Sequence, residues 1–188
     1  MNKISVLFVC LGNICRSPTA HAVFQSMVDS EGLSQQIIVD SAGTGDWHLG
    51  HAPDQRTSAV AAERGYDMSE LRSRLVEAED FNQFDYIIAM DSDNLSNLHA
   101  MRPESYNGQL GLFLDYSQQN EQTEVPDPYY GGDNGFALVL DLVEEASTGL
   151  LAHIRGNSPE LNDSLEPDNS PELYDSPELD NSPESSSL

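Results

Sequence analysis

Residues 4–9 (ISVLFV) form an apolar run with no polar alternation, and 36–41 (QIIVDS) is a second short β-branched run. Two more follow, 84–90 (FDYIIAM) and 108–114 (GQLGLFL). Between them the period changes: 17–28 is helical in spacing, and 54–64 is Ala-rich and helical. A last helix is predicted over about 134–154, with Phe136, Val139, Leu142, Val143, Ala146 and Leu150 on one face. Strands that do not alternate, separated by helices, imply a parallel sheet covered on both sides. The fold expected is α/β, a small doubly wound domain with a four-stranded parallel sheet and helices on both faces.

The pattern stops near residue 156. All eight basic residues lie before that point, whereas 157–188 (NSPELN, DSLEPD, NSPELY, DSPELD, NSPESSSL) carries nine acidic residues in a six-residue Ser-Pro repeat. That composition buries too little apolar surface to offset its ordering entropy. The expectation is a domain over 1–156 and a disordered acidic tail over 157–188. Ser-Pro at Ser158, Ser170, Ser176 and Ser182 also suits a docking or phosphorylation segment, so the tail is a candidate site for an unidentified partner. A small solenoid would need longer repeats with more inward-facing apolar residues.

The net charge of −24 in 188 residues disfavours nucleic acid and anionic membrane as partners. The only two cysteines, Cys10 and Cys15, do not have the spacing of a secreted disulfide framework. With neither a leader-like start nor a run of about 20 apolar residues, a cytoplasmic protein is expected. The histidines, His21, His48, His51, His99 and His153, have no Cys/His ligand spacing, so no metal or other cofactor is expected.

The chemistry concentrates where the first strand ends. In a doubly wound sheet, ligands bind at the carboxyl ends of the strands, near the point where strand order reverses. There the chain reads CLGNICRSPT from Cys10 to Thr19. The loop of Leu11, Gly12, Asn13, Ile14 and Cys15 feeds a helix whose start is marked by Ser17 and by Pro18, whose missing N–H costs nothing in a first turn. Such a loop gathers unpaired N–H groups and the positive end of a helix dipole into an anion cradle. Arg16 adds a planar fork suited to two phosphate oxygens. The same positive field favours a thiolate at Cys10, the form that acts as nucleophile. Gly12 and Asn13 tolerate positive φ, which lets the loop turn its amides toward one centre. An isolated cysteine and arginine six apart would suit a buried small hydrophobe and a surface charge equally well. Here the strand before, the Gly-Asn within and the Ser-Pro after agree on the phosphate reading.

VLFVCLGNICRSPTAHAVF closely resembles the signature of the low-molecular-weight protein tyrosine phosphatases, a Cys, five residues, then Arg and Ser. The similarity extends through VDSAGTGDWHLGHAPDQRT, FDYIIAMD and VPDPYY, covering roughly residues 3–155 and leaving out the tail. It implies a phosphotyrosine-protein substrate, a nucleophile at Cys10, phosphoryl binding by Arg16 and general-acid help from Asp127. It also implies that Trp47, Tyr129 and Tyr130 wall the cleft, that Ser17 hydrogen-bonds the thiolate, and that Asn13 and Ser41 hold the loop's shape. Trp47 beside His48 and His51 equally suits surface packing. Cys15 either packs the loop or pairs reversibly with the nucleophile under oxidation, as a neighbouring cysteine does in the family. The chain departs from the family at His21, where an acidic residue is common, and at Glu70, near a supporting histidine of some members.

Three other functions remain to be weighed. Arsenate reduction on this fold relays a disulfide through further cysteines, and none follows Cys15. Phosphoarginine phosphatases tend to have Thr where this chain has Ile14. A non-catalytic phosphate-binding module with a recruiting tail would need neither Cys10 nor Asp127.

Overall fold

A computed structural model of the protein describes residues 3–118, 121–129, 132 and 134–163. Its strands are β1 (Ile4–Cys10), β2 (Ile37–Gly43), β3 (Tyr86–Ala89) and β4 (Gln109–Leu112). They form one parallel sheet in the order β2-β1-β3-β4. The helices are α1 (Arg16–Ser30), α2 (Gln55–Glu63), α3 (Asp80–Gln83), α4 (Ser92–Met101), α5 (Asn134–Asn157) and α6 (Glu160–Asp163).

The absence of alternation in β1 has a direct cause. Successive strand residues point to opposite faces, and here both faces are covered. Val6 and Phe8 enter a core with Ala20, Val23, Phe24 and Val28 of α1 and Val139, Val143 and Leu150 of α5. Leu7 and Val9 enter a second core with Val76, Phe81, Leu98 and Tyr106, under α3 and α4. Phe8 is fully buried and meets Phe24 edge-on, with ring centroids 5.6 Å apart. Strand order reverses at β1, because β2 lies on one side of it and β3 on the other. The carboxyl end of β1, where Cys10 sits, is therefore the switch point of the sheet.

Several elements differ from expectation. α3 and α4 carry no sequence signal of their own, since DFNQ is one turn and SDNLSNLHAM offers only Leu95 and Leu98 to the core. The fourth strand ends at Leu112 because Phe113–Tyr116 turns into a 3-10 helix that buries Phe113 and Leu114. The expected boundary at Gly156 falls inside α5, and α6 follows. Leu161, at 2% exposure, belongs to the same core as Leu150 and Ile154, so the first repeat contributes an apolar side chain to the domain. The rest of the expected tail, 164–188, lies outside the described residues. No helix among the described residues is long and apolar enough to cross a membrane.

Candidate active site

The loop after β1 is held by its carbonyls. Thr44 N donates to Cys10 O (2.9 Å), Gly45 N to Leu11 O (2.9 Å), Asp54 N to Ile14 O (2.8 Å) and the Ser73 hydroxyl to Gly12 O (3.1 Å). C=O and N–H of a planar trans peptide point opposite ways, so tying the carbonyls outward turns the amides toward the loop's centre. Asn13 N–H accordingly points at Cys10 Sγ, 3.3 Å away. Asn13 takes the one left-handed conformation among the described non-glycine residues, φ 52°. Gly12 does not share it. Its lack of a side chain serves a close approach, since a Cβ there would lie 3.0 Å from the His48 ring. Gly43 is needed for the same reason, because a Cβ would meet Leu11 O at 2.8 Å.

α1 begins at Arg16 rather than Ser17, with Cys15 at the cap position and no side-chain cap. The Ser17 side chain is thereby free for another task. Its Oγ is 3.1 Å from Cys10 Sγ, 3.3 Å from Ala42 O, and accepts from Asn13 Nδ2 at 2.8 Å. Asn13 Nδ2 also donates to Ser41 Oγ at 3.0 Å, and Asn13 Oδ1 accepts from Arg74 N at 3.0 Å. Arg74 is itself clamped between Asp40 and the buried Asp80. One Asn side chain thus joins the loop, α1, β2 and the segment before α3.

Arg16 is 3% exposed, with a guanidinium held by three acceptors. Nη1 lies 2.5 Å from Asp91 and 3.1 Å from Val125 O, and Nη2 lies 3.4 Å from Asp127. Burial works against its charge, but Cys10, Asp91 and Asp127 more than offset that and hold its pKa above the ordinary arginine value. Asp91 was not singled out from the sequence. Its only trace there is a carboxylate directly after the third apolar run, at the carboxyl end of β3, where it also caps α4 through Asn94 N. Asp127 is more open, and its Oδ1 accepts from Tyr129 N at 3.0 Å in a local turn.

The two cysteines differ sharply. Both are free thiols. Burial pushes the Cys15 thiol up to about 12, with Asp54, Cys10 and Asp127 adding to the rise. Cys15 therefore stays protonated at neutral pH. Cys10 Sγ lies within hydrogen-bond reach of Asn13 N–H and of the Ser17 hydroxyl.

A cleft of about 400 Å³ opens above the loop. Cys10, Leu11, Gly12, Ile14, Cys15 and Arg16 of the loop line it, together with Trp47, His48, Asp127 and Tyr129 from other segments. The sequence-predicted residues thus converge on one place, with Asn13, Ser17 and Ser41 behind the loop. Tyr130 lies outside the described residues. Trp47, 68% exposed, lies against Gly45, where a Cβ would overlap its ring. Tyr129 is 38% exposed, and Arg56 sits 5.4 Å from its ring centre and 4.6 Å from that of Phe136. His48, which the sequence offered no reason to place in the site, also lines the cleft, 6.3 Å from the Tyr129 ring.

A family model described as low molecular weight phosphotyrosine protein phosphatase matches residues 5–160. A low molecular weight protein-tyrosine-phosphatase of Bacillus subtilis is 41% identical over 152 residues, covering 81% of this chain and 96% of that one. A low molecular weight phosphotyrosine protein phosphatase of Schizosaccharomyces pombe is 47% identical over 135 residues, covering 71% and 86%. Among solved structures, a protein tyrosine phosphatase of Entamoeba histolytica with Hepes in its active site superposes with a TM-score of 0.80 at 42% identity, over 82% of this chain and 99% of that one. A Drosophila arginine phosphatase superposes with a TM-score of 0.75 at 34% identity, over 80% and 97%. With the match spanning the whole α/β domain, the chain belongs to the low molecular weight phosphotyrosine protein phosphatase family.

Proposed function

We propose that the protein hydrolyses phosphotyrosine in protein substrates through a phosphocysteine on Cys10. The observation that carries this reading is the setting of Cys10 Sγ, which lines the cleft and lies between the Ser17 hydroxyl and Asn13 N–H, with the ion-paired Arg16 and Asp127 lining the same cleft. A phosphoryl group entering the loop meets inward amides and the Arg16 fork, donors fixed before the charge develops. The Cys10 thiolate attacks phosphorus in line, the bond from phosphorus to the phenol oxygen breaks, and Asp127 gives its proton to that oxygen. The resulting Asp127 carboxylate then takes a proton from water as the water attacks phosphorus. The phosphorus–sulfur bond breaks, and the thiolate leaves with Ser17 and Asn13 donating to it. Arg16 and the loop amides together hold the three equatorial oxygens through both steps.

The aromatic walls supply the preference for an aryl ester. Trp47 and Tyr129 line the cleft, where a phenol ring between them gains stacking and buried area. The experiment is a comparison of peptides carrying phosphotyrosine, phosphoserine or phosphoarginine at one position. Turnover concentrated on phosphotyrosine supports the reading, and a preference for phosphoarginine would replace it with the activity of the Drosophila relative.

A further inference from the structure

The Cys10 network does not end at Ser41. His21, on the second turn of α1, places Nδ1 3.4 Å from Ser41 Oγ. The chain of contacts then runs from Ser41 to Asn13 Nδ2 (3.0 Å), to Ser17 Oγ (2.8 Å) and to Cys10 Sγ (3.1 Å). A serine hydroxyl has one hydrogen and two lone pairs, so its role toward each neighbour depends on the others. Ser41 accepts from the Asn13 amide. Its own hydrogen is then free for an acceptor, and a neutral imidazole with a bare Nδ1 is one.

We propose that His21 is a positioning residue for the catalytic loop: neutral, it accepts the Ser41 hydroxyl and so fixes Ser41 as the acceptor that holds Asn13. Protonation turns Nδ1 into a donor aimed at the same oxygen. The Ser41 hydrogen loses its acceptor and has to turn toward other groups, so the oxygen's two lone pairs are re-aimed between the charged ring and Asn13 Nδ2 and the bond to Asn13 is less well directed. Asn13 in turn orients Ser17, whose hydroxyl faces the sulfur, so the thiolate is held less firmly when His21 is charged. The proposal rests on Cys10 being the nucleophile.

The surroundings favour the neutral form at pH 7. Burial depresses the His21 pKa below the ordinary value of 6.5, with Asp40 of β2 opposing and Arg74 adding to the depression. On its outer side a cleft of about 300 Å³, lined also by Gln25 and Asp29 of α1 and by Tyr66, Asp67 and Leu71, connects the ring to solvent. Protons therefore reach His21 without passing through the active site.

The test compares kcat for a small aryl phosphate in wild type and His21→Asn from about pH 5 to about pH 8. Asn offers an acceptor near the Nδ1 position but does not titrate. Taking the ratio of the two proteins at each pH cancels the ionisation of substrate and of Asp127, which lie outside the chain of contacts from His21. The expected ratio is constant above neutrality and falls about 2- to 10-fold on the acid side, as loss of one hydrogen bond does, with KM unmoved. His21→Ala should lose a similar factor at every pH. A ratio that ignores pH, or wild-type kcat in His21→Ala, overturns the proposal. Should the variants not fold, NMR of the wild type decides: the His21 ring and the Asn13 side-chain amide must titrate with one midpoint, and independent behaviour overturns it. A folded wild type without aryl phosphatase activity would instead refute the reading of Cys10.

Discussion

Ser17→Ala isolates what the loop does for the leaving thiolate. The hydroxyl is fully buried, 3.1 Å from Cys10 Sγ, and is the acceptor for one of the two hydrogen bonds from Asn13 Nδ2. Removing it deletes a hydrogen bond to a charged sulfur, worth about 1.5–3 kcal/mol, and a neutral bond to Asn13, worth about 1 kcal/mol. The second loss is cushioned, because Asn13 keeps Ser41 and the Arg74 amide. Folding should therefore survive with a modest fall in Tm. The charged bond matters most when the phosphorus–sulfur bond breaks, since full negative charge returns to sulfur there. Its loss should lower the rate of that step about 10- to 150-fold. Stopped-flow release of an aryl leaving group separates the steps. The expected trace is a fast burst of one phenol per enzyme followed by slow turnover, with phosphoenzyme accumulating. A folded variant whose kcat matches wild type, or one that loses the burst and the steady state equally, would refute the reasoning.

Three further outcomes follow from the geometry. Asp127→Ala should slow phosphotyrosine hydrolysis about 10²- to 10⁴-fold, and far less for an ester whose phenol needs no proton to leave. Equal losses on both would assign the loop a structural role. Stability should decline in alkali: burial raises Cys15 from 9.0 to about 12, and Tyr66 and Tyr116 from 10.0 to about 12. The unfolded chain ionises these groups first, so their contribution is intact below about pH 9 and is lost as pH rises toward 12, which urea midpoints across that range would register. A chain ending at Asp163 should keep wild-type Tm and small-substrate turnover. One ending at Gly156 should melt lower, because it lacks the buried Leu161.

What was legible in the sequence divides along local and distant contacts. The four strands show as apolar runs because both faces of a parallel sheet are buried, and CLGNICRS carries its cradle within one loop. The partners of that loop are not local. Arg16 meets Asp91 across 75 positions and Arg74 meets Asp40 across 34, pairings that leave no periodic trace. His21 read as a departure from a family pattern, and only the fold brings it to Ser41. α4 stayed hidden because one Leu pair on a polar turn reads like a loop, and Leu161 because its neighbours in the Ser-Pro repeat are polar or acidic.

The central claim is covalent catalysis at Cys10, and acid quench of the enzyme during turnover of a phosphotyrosine peptide tests it most directly. Mass spectrometry of the digested protein should find one phosphoryl group on the peptide containing Cys10 and Cys15, located on Cys10 by fragmentation. The adduct should accumulate in Ser17→Ala and be missing in Cys10→Ser, which should show no turnover. A phosphoryl group on another residue, or steady turnover by Cys10→Ser, would contradict the account.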